Sequence, residues 1–252
     1  MNRKQLVIGL AAILSMPVAA EETNGSSGWE FSLSPLFLWG MSIQGDSQIG
    51  PVSAPLDISF KDGVLENLEA VFTFHFEAKK DKWTLFTEYQ YANLTPTAKV
   101  KNDLVEIDVD FKNTMLELGA AYTVASYEKT DIEVLFGARY TEQQNKTKLK
   151  SGPTLVDVDE SWWNGFVGGR IFTKLSDKWS LVGRADVGAG TGDKNIVWNL
   201  SGFADYRFND WGSVFLGYKW MDYDYDNGKN GTNAYTYDAT QQGPLAGISF
   251  YW

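Results

Sequence analysis

The chain has 252 residues, of which 44% are hydrophobic and 15% aromatic, with 22 Lys and Arg against 32 Asp and Glu. Its formal charge of −10, or −12 once Arg3 and Lys4 are removed, argues against a nucleic-acid partner. There is no cysteine, which excludes a disulfide framework and thiol chemistry. The mean hydropathy of −0.26 fits a soluble protein. It also fits a membrane barrel, where half of each strand faces a polar interior.

Residues 1–20 read as a cleaved signal peptide. Arg3 and Lys4 precede the apolar run LVIGLAAIL, and Val18 and Ala20 are the small residues of a cleavage site before Glu21. The run is too short for a helix that crosses a bilayer. Glu21 stands where a lipid-anchored chain has Cys. Residues 21–28 are expected to be a short periplasmic segment and 29–252 a barrel.

Period-two alternation predicts ten strands, at about 29–40, 70–80, 82–94, 104–125, 131–148, 161–175, 178–190, 196–208, 211–226 and 236–252. In the second, Phe72, Phe74 and Phe76 oppose Thr73, His75 and Glu77. In the fifth, Ile132, Val134, Phe136, Ala138 and Tyr140 oppose Glu133 and Arg139. The phase of alternation slips between Lys112 and Leu116 and again near Trp220, which reads as bulges or as strands running beyond the membrane. Turns at 79–82, 126–131, 176–178 and 209–210 are tight, and the intervening connections are mostly longer. That alternation predicts an all-β fold, a single transmembrane antiparallel up-and-down β-barrel of about ten strands, with eight or twelve as alternatives. The long loop 41–69 contains strand-like DISF at 57–60 and, at 61–70, Val64, Leu65 and Leu68 at helical spacing. It reads as a lid over the mouth or as a short surface helix.

The predicted inward face carries both signs of charge: His75, Glu77, Glu88, Glu117, Glu133, Arg139, Arg170, Arg184, Asp186, Asp205, Arg207 and Lys219. Buried charges must be paired or hydrated, so these residues are expected to cross-link the wall or to line a narrow polar path. His75 with Glu77 also has the composition of an acid–base pair, but no nucleophile is placed beside it by spacing. Asp222, Asp224 and Asp226 begin like a calcium loop, which then fails at Asn227 and Asn233. With Glu106, Asp108 and Asp110 they are expected to form an acidic outer rim that holds divalent cations weakly.

The final strand, GPLAGISFYW, keeps Ile248, Phe250 and Trp252 on one face to its end. Together with SPLFLWGMSIQGD at 34–46, PLDISF at 55–60 and HFEAKKDKWTLFTEYQY at 75–91, it resembles the small outer-membrane β-barrel proteins of Gram-negative bacteria. It is nearest a group of uncharacterised outer-membrane barrels. The resemblance implies the fold and the outer membrane, and it attaches no activity. The ending resembles the signal read by the barrel-assembly machinery. Lipid and lipopolysaccharide are the expected surroundings, with no cofactor, no metal and no nucleic acid. The expected role is a narrow porin-like channel or a structural barrel, and not an enzyme. The alternative is a surface-binding barrel acting through its loops, followed by a lipid or peptide hydrolase.

Overall fold

The computed structural model describes residues 28–61, 66, 68–95, 97–100, 105–149, 152 and 154–252. The segment read as a signal peptide lies outside the described residues, as do Val64 and Leu65. The strands are β1 (Glu30–Trp39), β2 (Ser42–Ile49), β3 (Val52–Ile58), β4 (Leu68–Lys80), β5 (Trp83–Leu94), β6 (Thr97–Val100) and β7 (Val105–Ser126). They continue as β8 (Thr130–Leu149), β9 (Thr154–Lys174), β10 (Trp179–Gly190), β11 (Lys194–Asn209), β12 (Gly212–Asp226) and β13 (Tyr235–Tyr251).

Ten of these form the wall, in the order β1-β4-β5-β7-β8-β9-β10-β11-β12-β13, and β1 pairs back onto β13 to close it. Closure satisfies every lipid-facing backbone edge in turn, which an open sheet in a bilayer cannot do. The predicted strand ends hold to within a residue or two in most places. The main difference is β9, which begins at Thr154 rather than near 161.

The outward face is apolar where the lipid lies. Leu85, Leu118, Phe136, Val167, Leu181, Leu200, Leu216 and Ile248 are all exposed. Aromatic pairs bound this belt. At the end with the short turns Trp83 meets Tyr122 at 4.8 Å, Trp179 meets Tyr206 at 4.9 Å and Phe31 meets Trp252 at 5.7 Å. On the outer side Tyr140 meets Trp163 at 5.1 Å and Tyr218 meets Trp220 at 4.3 Å. A spanning strand needs roughly 9–11 residues. β7, β8 and β9 have 22, 20 and 21, so this wall stands well above the membrane.

Neither predicted phase slip is a bulge. Pairing of β12 with β13 runs unbroken from Gly212 to Asp226, and pairing of β7 with β5 runs unbroken from Phe111 to Tyr122. What changes is the solvent on each face. Above the belt the inner face turns apolar, with Met115, Met221, Tyr223 and Tyr225 buried, while Asp222, Asp224 and Asp226 face outward toward water. The strands do run beyond the membrane, as the second reading of the slips has it.

Of the 41–69 region, Met41 and Ile43 turn into the lumen, and most of the expected helix, residues 62–65 and 67, lies outside the described residues. β2 continues β1 along the upper half of β13, and β3 pairs back on β2 as an upright hairpin. Lys61 opens a turn, its carbonyl accepting from the Glu66 N–H at 3.3 Å, and Leu68 already belongs to β4. The β-branched and aromatic residues of VFTFHF favour the strand that follows.

One seam in the wall is short. β1 pairs with β4 only from Glu30 opposite Lys79 to Ser34 opposite His75. There Pro35, which has no N–H, sits in a register shift between Leu33 and Leu36, and β1 leaves β4 to follow β13. At Phe37 the Thr73 hydroxyl takes over from the ladder. It accepts from the Phe37 N–H at 2.9 Å and donates to the Phe37 carbonyl at 2.5 Å.

Candidate functional site

The lumen is layered, and each layer follows from which strand positions face inward at that height. In the middle lies a closed ring of four charges. Arg139 on β8 donates from Nε to Glu117 Oε1 at 2.7 Å and from Nη2 to Asp186 Oδ1 at 2.9 Å. Arg184 on β10 reaches the same two carboxylates, Glu117 Oε2 at 2.9 Å and Asp186 Oδ2 at 2.8 Å. Arg139, Glu117 and Asp186 have side chains 0% exposed. Asn199 donates to Asp186 at 2.8 Å and completes its shell. The two guanidinium groups also stack over Phe166, at 5.0 Å and 5.3 Å. Phe86 and Phe166 lie flat against the wall because Gly119 and Gly137 face inward, where added Cβ atoms would come within 2.4 Å and 2.7 Å of the rings.

Beside the ring runs a chain of charges. Lys219 donates to Glu88 at 3.0 Å, and Glu88 meets His75 Nδ1 at 3.0 Å. His75 Nε2 meets Glu77 at 3.0 Å, Arg170 bonds Glu77, and Arg170 Nε donates to Glu133 at 2.6 Å. Both ring nitrogens of His75 are therefore occupied by carboxylates. With each nitrogen facing a carboxylate acceptor, neither is free to activate a nucleophile, and among the described residues no hydroxyl is bonded to the ring.

Ten of the twelve residues expected on the inner face meet in these two groups. The other two, Asp205 and Arg207, stand apart at the periplasmic mouth. Asp205 accepts from Ser213 at 2.6 Å, and the Arg207 guanidinium lies 4.0 Å from the Tyr251 ring centre. The Arg207 Nε is buried without a hydrogen-bond partner.

Above the charges the lumen is filled by Met41, Ile43, Met115, Trp162, Val197, Met221, Tyr223, Tyr225, Tyr235 and Tyr237. Trp162 stacks on Tyr225 at 4.1 Å and 15°. The hydroxyls find partners at the edge of the cluster: Tyr235 donates to Gln143 at 2.5 Å and Tyr225 to Glu160 at 3.0 Å. Burial and the neighbouring Glu160 carboxylate push the Tyr225 hydroxyl pKa up. This plug was not anticipated from the sequence. The signal was present in strand parity. Counting inward from Lys219 by twos gives Met221, Tyr223 and Tyr225.

Below the charges lies a cavity of about 370 Å³, reaching from Phe37, His75 and Arg184 to Glu30, Lys79, Arg207 and Tyr251 at the periplasmic end.

The two acidic rows do not join into a rim. Strand order sets β7 and β12 five positions apart, on opposite sides of a ten-strand wall. Asp222 accepts from Thr240 at 2.6 Å, Asp224 pairs with Lys194, and Asp226 accepts from the Gly228 N–H at 2.8 Å. Asp110 pairs with Lys112 at 3.7 Å, and the side chains of Glu106 and Asp108 lie outside the described residues. Among the described residues no group of three or more His, Cys, Asp or Glu is placed to hold a metal ion. At the C-terminus Ile248 faces lipid, Phe250 stacks on Trp211 at 5.9 Å, and Trp252 stacks on Phe31.

No protein-family model matches the chain. No curated protein matches it either. Solved structures do. Outer membrane protease OmpT from Escherichia coli aligns at 8% identity over 92% of this chain and 99% of that one, with a TM-score of 0.54. The translocator domain of autotransporter NalP from Neisseria meningitidis aligns at 14% identity over 89% and 88%, with a TM-score of 0.44. Ail, the attachment invasion locus protein of Yersinia pestis, aligns at 9% over 89% and 97%, with a TM-score of 0.38. At these identities the likeness is one of fold. With the closed ten-strand wall and its apolar belt, it makes the chain an integral β-barrel of the outer membrane, surrounded by lipid and lipopolysaccharide.

Proposed function

We propose that this barrel is closed to solutes from the cell exterior and is not a through-pore, so that its role lies in its periplasm-facing compartment and its outer surface. The observation that carries this reading is the stack of two seals, the Arg139–Glu117–Arg184–Asp186 ring and the Trp162–Tyr225 plug above it. Opening a path through the ring would strip partners from buried charges, at several kcal/mol per ion. Opening the plug would expose aromatic rings whose burial is worth roughly 1.5–3 kcal/mol each. The engagement of both His75 nitrogens supports a barrel without hydrolytic chemistry at that residue. The closed lumen favours the structural barrel over the narrow channel. A refolded barrel that shifts on unheated gels yet gives no steps in a planar bilayer is the expected result, and discrete ionic steps would count against it. Recognition of the last strand by the barrel-assembly machinery is part of the same proposal, and rests on Ile248, Phe250 and Trp252 sharing its lipid-facing side.

A further inference from the structure

Three features of the wall and the cavity converge on the short seam between β1 and β4. The first is the seam itself. Above Ser34 and His75 the backbone ladder stops, and the strands are held across Phe37 by one side chain, Thr73. Both residues are 4% exposed, whereas the flanking outward residues Leu38 and Phe72 are 52% and 49% exposed. A bridge through a side-chain hydroxyl sets two backbones farther apart than a direct N–H···O=C pair. It also rests on two hydrogen bonds made by one hydroxyl.

The second feature is an apolar strip behind the seam. Phe37 lines the cavity, and the Phe215 ring and the Phe37 Cβ close on the same face of Gly247, where an added Cβ would meet them at 2.5 Å and 2.9 Å. Phe215 in turn packs on Phe203 at 5.2 Å. The strip therefore runs from the seam along β13 and β12 onto β11, where Asp205 and then Arg207 follow Phe203 on the inward face toward the short-turn mouth. The facing wall carries Glu77, Glu133 and Arg170, which satisfy one another.

The third is the cation at the end of the strip. Arg207 has no carboxylate within salt-bridge distance among the described residues, and its buried Nε has no partner. Asp205, two residues along the same face, is turned to Ser213. The cavity of about 370 Å³ falls within the usual size of a small-ligand site, roughly 300–1,000 Å³.

We propose that the β1–β4 seam is a lateral doorway, latched by Thr73, through which a single-chain anionic amphiphile of the fatty-acyl carboxylate class passes from the membrane into the cavity. There its chain lies along Phe37, Phe215 and Phe203 and its carboxylate meets Arg207. This inference rests on the reading of a lumen closed above, because only then does lateral entry lead to the periplasm rather than to a pore.

The test uses the full chain in lipid nanodiscs with a diazirine-bearing palmitate, photolysed and mapped by peptide mass spectrometry. The expected adducts lie on the cavity residues Phe203, Phe215 and Leu245, beside a background on the lipid-facing Leu38 and Phe72. Thr73→Val, which removes the latch, should increase the cavity adducts. Arg207→Gln should reduce them and leave the belt adducts unchanged. A Phe37→Cys, Thr73→Cys double variant locked by oxidation should lose the cavity adducts and regain them on reduction, with unheated gel migration confirming that both forms are folded. Cavity residues that stay unlabelled, or that label equally in the locked and reduced forms, would overturn the doorway. Neither result depends on conductance, so this proposal and the closed-lumen reading fail separately.

Discussion

Arg139 shows how unevenly charge contributes to this barrel. Its guanidinium is fully buried between Glu117 and Asp186, which themselves have no exposure. Removing it leaves two buried carboxylates to share Arg184 alone. Breaking a buried pair costs about 3–5 kcal/mol, so Arg139→Gln should lower the urea midpoint followed by tryptophan fluorescence by a corresponding amount. Adding Glu117→Gln should recover much of that loss, because it leaves Arg184 balanced against Asp186 and the damage comes from the uncompensated charge and not from the missing arginine. Lys194 is the contrast. Its ammonium pKa is held up by the hydrogen bond to Asp224, outside the membrane, but the pair sits in water, where screening removes most of its value. Lys194→Gln should leave the midpoint unchanged. At the plug, Trp162 is 1% exposed, and Trp162→Ala should cost about 3–5 kcal/mol in the same assay through the cavity it opens.

At the scale of the strand, the informative element is β12. A lipid-spanning strand turns its apolar residues outward, and β12 does so at Val214, Leu216 and Tyr218, with Lys219 turned inward. Beyond Trp220 the polarity of the two faces exchanges while the chain keeps its register. Single cysteines test this directly in intact cells. Asp222→Cys and Asp224→Cys should react with a membrane-impermeant maleimide and Tyr223→Cys should not, whereas a bulge at Trp220 would reverse the pattern. The same exchange explains what could be read from the sequence and what could not. Strand ends, inward charges such as Arg184 and Asp186, and lipid-facing residues such as Leu181 follow from period-two alternation, a local signal. The plug does not follow, because an apolar inner face above the membrane looks like an outward face once the reference shifts. The β1–β4 seam was also hidden. Pro35 marks an interruption in β1, but only the pairing partners show that β1 leaves β4 and stays with β13. The ring of Arg139, Glu117, Arg184 and Asp186 joins residues up to 69 positions apart in sequence (from 117 to 186), so the inward face was legible and the partners were not.

For the whole molecule, the layers have one consequence. Ten strands enclose a lumen narrow enough for side chains to fill, between the packed interior of eight-stranded barrels and the open channel of porins. Here the fill is asymmetric, with aromatic rings on the outside, paired charges at mid-height and a cavity toward the periplasm. A tall wall built from β7, β8 and β9 and the upright β2–β3 hairpin carry the barrel beyond the membrane without opening it. Single-channel recording of the refolded full chain in a planar bilayer tests the closed lumen most directly. A folded barrel should be electrically silent, and current steps should appear only when Arg139→Gln and Trp162→Ala are combined. Discrete steps from the unaltered chain, changed by Arg184→Gln, would contradict the account and make the charged layer a conduction path.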